Sequence, residues 1–203
     1  MEFSGWRERI THRNDITSRI THLTNGQTAD EAFENLLSML TNKKINGGHG
    51  FINGDDAVVC LQEAPLNSIS ENLLYERMLR DANGTDHYRY RAFGLRFAKM
   101  FVYRKGGRPV IYGKASELRK ILPKNEWWRI VDLQLESKDN IIDWSHEREW
   151  RIKGDLEFKY NQTEVIVPSR TYYKKFVQYC LEKNRQDMLL EINGIITLDS
   201  IYF

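Results

Sequence analysis

Residues 57–61, Ala-Val-Val-Cys-Leu, are apolar at every position, so a strand formed here has no face suited to water. Such a strand belongs in the middle of a sheet that is covered on both sides. The Gly-rich stretch before it, residues 46–56, reads as a loop that delivers the chain to this strand as a separate element. The cover must come from elsewhere in the chain, which points to layers of helix and sheet rather than to a helical bundle or a one-sided sheet.

Helical spacing supplies that cover. Phe33, Leu36, Leu37 and Leu40 fall on one face of a segment that opens at Thr28 with Asp30 and Glu31 in its first turn and ends near Asn42. Residues 170–183 place Tyr173, Phe176, Val177 and Cys180 together, residues 69–80 suit a helix capped by Ser70 and closed by the polar turn 81–86, and 116–122 is a short helix stopped by Pro123. Extended segments are expected at 88–94, at 108–112 with Pro109 near its start, at 147–153 and at 163–167. The pair 189–192 and 195–198 flanks Asn193-Gly194, a two-residue hairpin signal. Strands and helices alternate without a strict βαβ period, so the expected fold is α/β of the mixed α+β kind, a single domain over residues 1–203 with a mixed sheet and flanking helices. The two copies of Arg-Ile-Thr-His, at 9–12 and 19–22, are too short to mark a repeat.

Charge and cysteine content exclude several classes. With 30 Lys and Arg against 28 Asp and Glu, a net charge of +2 is too small for nonspecific coating of nucleic acid. Cys60 and Cys180 are too few for a disulfide scaffold, the first residues lack an apolar secretion segment, and no run approaches the roughly 20 apolar residues of a membrane helix. The expectation is a cytoplasmic protein with no membrane partner. His146-Glu147-Arg148-Glu149-Trp150 opens like a zinc-protease motif, but Trp150 stands where the second histidine must be. The remaining His and Cys show no metal spacing, and no nucleophile-elbow, phosphate-loop or dinucleotide glycine pattern is present.

The polar groups that could carry chemistry each have a structural counterpart reading. Strand alternation puts Glu147, Glu149 and Arg151 on one face and Arg148 and Trp150 on the other, forming either an internal polar network or part of a site. Glu63 follows the apolar strand, where polar groups often meet ligands or cap the next helix. By the same alternation Glu164 faces away from Val165 and Val167, as a surface carboxylate or a strand-borne catalytic one. His22 is either a core histidine satisfied by backbone or a ligand-binding one. Gly48, in the Gly-rich loop, would let backbone N–H groups approach a phosphate closely. Arg91 belongs to the densest basic stretch, Arg89, Arg91, Arg96, Lys99, Arg104, Lys105 and Arg108, which contains no acid and is either a solvated face or an anion-binding surface. The aromatic doublets Trp127-Trp128 and Tyr172-Tyr173 suit a core or a base-stacking platform.

In order along the chain, the segments 20–24, 59–66 (Val-Cys-Leu-Gln-Glu-Ala-Pro-Leu), 91–95, 107–112, 143–151 (Asp-Trp-Ser-His-Glu-Arg-Glu-Trp-Arg) and 163–168 resemble the AbiGi-like proteins linked to abortive phage infection. Ile20-Thr21-His22-Leu23-Thr24, the helix that ends before a Gly-rich turn, and the late strand Glu164-Val165-Ile166-Val167-Pro168 also look like the DarT-type ADP-ribosyltransferases. That second resemblance implies an ADP-ribosyltransferase-like sheet, NAD as substrate, His22 at the nicotinamide-side ribose, and Glu164 at the scissile bond. The DarT-type pattern has an Arg soon after the first helix, whereas no Arg lies between Arg19 and Arg77 here. Breaking the nicotinamide bond develops positive charge on the ribose, which a strand-borne carboxylate would stabilise. The implied protein is a phage-defence toxin that transfers ADP-ribose to a nucleic-acid or protein acceptor and is paired with an antitoxin. Glu164, Glu147 and Glu149 are then the catalytic candidates, and His22, Thr24, Gly48, Glu63 and Arg91 the NAD-binding ones. The missing Arg favours the alternative, a non-catalytic interaction protein acting as antitoxin or sensor.

Overall fold

A computed structural model describes residues 2–83 and 89–201. The first half of the chain forms α1 (Phe3–Thr11), β1 (Arg19–Leu23), α2 (Ala29–Asn42), β2 (Lys44–Ile45), β3 (Val58–Gln62), α3 (Leu66–Asn83), β4 (Gly94–Ala98) and α4 (Lys99–Arg104). The second half adds β5 (Arg108–Pro109), β6 (Ile111–Gly113), α5 (Ala115–Ile121), β7 (Ile130–Asp132), β8 (Gln134–Ser137), β9 (Asn140–Ile142), β10 (Glu149–Lys153), β11 (Leu156–Glu157), β12 (Thr163–Val167), α6 (Arg170–Glu182), α7 (Gln186–Glu191) and β13 (Ile195–Thr197). Seven strands make one mixed sheet in the order β13-β12-β4-β1-β3-β10-β5, antiparallel except for the β12–β13 pair. The fold is α/β, and the apolar strand 57–61 is β3, central between β1 and β10 as its two-sided apolarity requires.

The registered pairs divide the sheet into two unlike faces. Ile20, Val59, Leu61, Leu95, Phe97, Trp150, Ile152, Val165 and Val167 join α2 (Phe33, Leu36, Leu37, Leu40) and α6 (Phe176, Cys180) in one buried cluster. Thr28 caps α2, its hydroxyl accepting from the Glu31 N–H at 3.0 Å. On the other face, Glu164 pairs Arg96, Arg96 pairs Thr21, Thr21 pairs Gln62 and Gln62 pairs Glu149, giving one polar row across five strands. α3 lies over part of this face, where Leu23, Ala64 and Ile69 form a small second cluster against Leu73 and Tyr90.

Four expectations are corrected, and one further helix carried no signal in the sequence. Residues 3–11 form a helix that the patterning did not signal, so the first Arg-Ile-Thr-His copy closes α1 while the second lies in β1. α3 begins at Leu66 rather than at Ser70: the Pro65 carbonyl accepts the Ile69 N–H at 3.0 Å, and Ser70 is buried inside the helix. Of the extended stretch 88–94, Tyr88 lies outside the described residues, as does 84–86 of the polar turn, and the strand starts only at Gly94, opposite Leu23 at the end of β1. Residues 108–112 divide, because Arg108–Pro109 pair with β10 while Ile111–Gly113 pair in parallel with β7. Residues 189–191 belong to α7, and β13 lies parallel to β12, so Asn193-Gly194 leads from helix into strand and makes no hairpin.

Candidate functional site

The polar face narrows to a cleft between α3 and the sheet, lined by Leu23, Gln62, Ile69, Asn72, Leu73, Glu76, Arg89, Tyr90, His146 and Glu147. Glu147 ends a one-turn 3-10 helix, Ser145–Glu147, and does not belong to the strand that alternation gave it. Arg148 follows in the left-handed region with φ 47°, a conformation uncommon for a non-glycine residue. The turn is pinned on both sides: the Glu63 N–H donates to the Arg148 carbonyl at 3.1 Å, and the Arg148 guanidinium donates to the Asp15 carbonyl. It sets Glu147 in the cleft lining, while Glu149 and Arg151 keep the common strand face that alternation assigned them.

Glu147 and Glu149 have different cations. Arg151, only 4% exposed, grips Glu149 with two hydrogen bonds (2.7 and 3.2 Å) and donates to the carbonyls of Trp128 and Ile130. Glu147 faces Arg89 at 3.3 Å, and the Arg89 guanidinium lies 3.8 Å from the centroid of Trp144 and 5.4 Å from that of Tyr90. The shared Glu147–Glu149–Arg151 network is therefore two ion pairs. Burial pushes the Glu147 carboxyl up to about 7 against the pull of Arg89, and the Glu149 charge adds to the rise. Burial raises the Tyr90 hydroxyl far above its ordinary value, with the Glu147 charge next in effect. Cys60 is pushed up to about 12 by burial and then by Glu149, so its thiol is inert. Tyr112, whose oxygen accepts the Glu149 N–H at 2.9 Å, is raised by burial to about 12. A carboxyl that titrates near neutrality beside a guanidinium and a phenol can hold or release a proton during a reaction.

The other sequence-derived candidates lie elsewhere. Glu164 is at the far end of the polar row from Glu149, four strand spacings or about 19 Å away. Its two oxygens are held by Arg96 at 2.7 Å and Arg19 at 3.0 Å, so it serves an ion pair on the polar face. His22 lies on the opposite face in the alternation of β1, where Nδ1–H donates to the Cys60 carbonyl at 2.8 Å. Burial depresses its pKa, the carbonyl partly opposing the shift, so the ring is neutral at pH 7. Thr24 is buried, its hydroxyl donating to the Ala32 carbonyl at 3.2 Å. Arg91 donates to the carbonyls of Gly26 and Gln27, which fastens the turn into α2. Glu63 bonds Lys99 and accepts the Trp150 indole N–H at 2.6 Å. Gly48 pairs with Val58 through two 2.9 Å backbone bonds, at the opposite end of β3 from Gln62.

Thus Glu147 and Glu149 come together in one cluster with Gln62, Arg89, Tyr90 and Tyr112, which the sequence did not single out as a group. A faint signal existed, since Gln62 stands at the end of the apolar strand and Arg89 and Tyr90 stand in the basic stretch. Among the described residues no group of His, Cys, Asp and Glu could hold a metal ion, and no helix is long and apolar enough to cross a membrane. No family model, curated protein or solved structure matches the chain.

Proposed function

We propose that the cleft beneath α3 is an acid–base site that acts on the glycosidic bond of NAD, transferring ADP-ribose to a macromolecular acceptor in phage defence. The observation that carries this reading is Glu147, a buried carboxyl near neutrality beside Arg89 and Tyr90. When the ribosyl C–N bond breaks, its electron pair moves onto the ring nitrogen and nicotinamide leaves as a neutral molecule. That departure needs no acid. The ribose is left with oxocarbenium character, and the incoming hydroxyl or amine must lose a proton as it bonds to the same carbon. A carboxyl near 7 is about half ionised at neutral pH, so it can stabilise that charge and accept that proton. Glu147 takes the role that the DarT-type resemblance gave to Glu164.

The test is nicotinamide release from NAD across pH 5–9 with the wild-type chain and Glu147→Gln. Release should rise through an apparent pKa near 7, and the Gln variant should lose about 100-fold or more while remaining folded. Absence of both NAD binding and nicotinamide release would overturn the reading. A second reading, a non-catalytic antitoxin or sensor, draws on the internal bonding of His22, Thr24, Arg91 and Glu164, and on the size of the cleft. Its void is about 20 Å³, room for about one water, so NAD enters only if α3 lifts from the sheet. Under this reading α3 amides exchange hydrogen at the same rate with and without NAD, whereas substrate entry alters their protection.

A further inference from the structure

The basic stretch 89–108 is mostly consumed inside the fold. Arg89 pairs with Glu147, Arg96 with Glu164 and Lys99 with Glu63, while Arg91 and Arg108 donate to backbone carbonyls. Arg104 and Lys105 remain. Both are exposed at the end of α4, and among the described residues neither has a carboxylate partner. Arg104 Nε donates within its own helix, to the Met100 carbonyl at 3.2 Å, and Lys105 Nζ stands 5.8 Å from the Phe101 ring centroid.

These two cations open onto a cavity of about 440 Å³ at the Arg19 end of β1, a volume within the usual range of ligand sites. Arg19 adds a third cation to the lining, together with Asn161, Gln162 and Asn193. No Asp or Glu lines it. The amides are oriented by the chain: the Lys159 N–H donates to the Gln162 side-chain carbonyl at 2.8 Å, which leaves the Gln162 NH₂ as a donor, and Asn193 Nδ2 donates to the Asn161 carbonyl at 2.9 Å. Arg19 is itself steadied by Glu164 at 3.0 Å. A wall of guanidinium, ammonium and amide donors that lacks carboxylates suits a multiply charged oxyanion.

We infer that the cavity bounded by Arg19, Arg104, Lys105, Gln162 and Asn193 binds phosphate groups, those of a free nucleotide or of a single-stranded nucleic acid. This site is separate from the cleft beneath α3, and its existence does not depend on what that cleft does.

The test is titration of the full chain with pyrophosphate, ADP and a fluorescein-labelled single-stranded oligonucleotide at about 50 mM salt, where phosphate contacts are weakly screened. Arg104→Glu/Lys105→Glu should weaken binding by at least roughly tenfold, while Lys120→Glu/Lys138→Glu, the same charge change on exposed residues elsewhere, should alter it by less than about threefold. Tight oligonucleotide binding with a log–log salt slope near about −2, as three neutralised phosphates give, identifies a nucleic-acid strand. Binding of pyrophosphate and ADP with no oligonucleotide affinity identifies a free nucleotide. The inference is overturned if none of the three probes binds, or if both double variants weaken binding equally. Thermal melts of both double variants at the wild-type temperature keep the comparison free of folding effects.

Discussion

Glu147 carries its charge where the surroundings resist it, and this gives a measurable dependence on pH. A carboxyl raised from 4.5 to about 7 holds its proton more firmly in the folded chain than in the unfolded one. Its contribution to stability is therefore fully present below about pH 4.5 and is lost as pH climbs through 7. Glu147→Gln removes the titration. Wild type and variant should unfold alike near pH 4.5 in urea, and the variant should be more stable at pH 8, by on the order of 3 kcal/mol. A wild type that is the more stable at pH 8 would mean that the Arg89 pair outweighs desolvation. The two other carboxylates differ in how far they are buried. Arg151→Ala leaves Glu149 buried with no cation and should cost about 3–5 kcal/mol, whereas Glu164→Gln strips the partner from the partly open Arg96 and Arg19 and should cost about 1–2 kcal/mol. Urea midpoints of the two variants decide the order. A Glu164→Gln chain as damaged as Arg151→Ala would show that the Glu164 end of the polar row is as dry as the Glu149 end.

Strand pairing at the top of β4 depends on a missing side chain. Gly94 stands opposite Leu23, and a β-carbon there would come within 2.3 Å of the His22 carbonyl and 3.1 Å of Leu23 Cδ2. The backbone conformation of Gly94 is one that any residue adopts, so the requirement is for space between β1 and β4. Gly94→Ala must spread these two central strands and is expected to cost about 2–3 kcal/mol, with the loss read as a lowered melting temperature. An unchanged melt would mean that β1 can shift without disturbing the polar row. Gly107 meets a similar limit, its β-carbon falling 2.5 Å from Val102 Cγ1, which holds α4 against the entry to β5. The placement of Arg104 and Lys105 at the cavity therefore rests on a glycine contact that follows them in the chain.

The sheet interleaves distant parts of the chain. β1, from the beginning, lies between β3 and β4, while β12 and β13, from the end, extend the same sheet beyond β4. The core cluster likewise combines α2 with α6 and α7. Any cut of the chain into two halves severs a central strand pair and divides the core, so neither half keeps a covered sheet. The expected outcome is one cooperative unfolding transition, with tryptophan fluorescence and far-ultraviolet circular dichroism coinciding in urea. Separate transitions for the two probes would mean that the small β6–β7 and β8–β9 pairs, which carry no strand of the main sheet, unfold on their own.

Local chemistry was enough to identify elements whose character is written in consecutive residues. The two-sided apolarity of 57–61 required a central strand, the spacing of Phe33, Leu36, Leu37 and Leu40 required a helix buried on one side, and the alternation of 163–167 set Glu164 opposite Val165. Those patterns survive because burial acts on them wherever the element docks. Partners were a different matter. Alternation can place Glu149 and Arg151 on one face, but it cannot bring Arg89 and Tyr90 to Glu147 from some 60 residues earlier, nor show that Arg148 turns left-handed at the strand entry. Asn193-Gly194 has the chemistry of a hairpin turn, yet residues 186–191 before it are a helix packed on the core and β13 runs parallel to β12, so no preceding strand is there to turn back on. Most consequential is the basic stretch: seven cations within residues 89–108 look alike, and only folding pairs Arg89, Arg96 and Lys99 with acids, ties Arg91 and Arg108 to carbonyls, and leaves Arg104 and Lys105 beside an open cavity with no carboxylate partner among the described residues. Charge in a sequence is a count, whereas its availability to a ligand depends on which opposite charges the fold brings within reach.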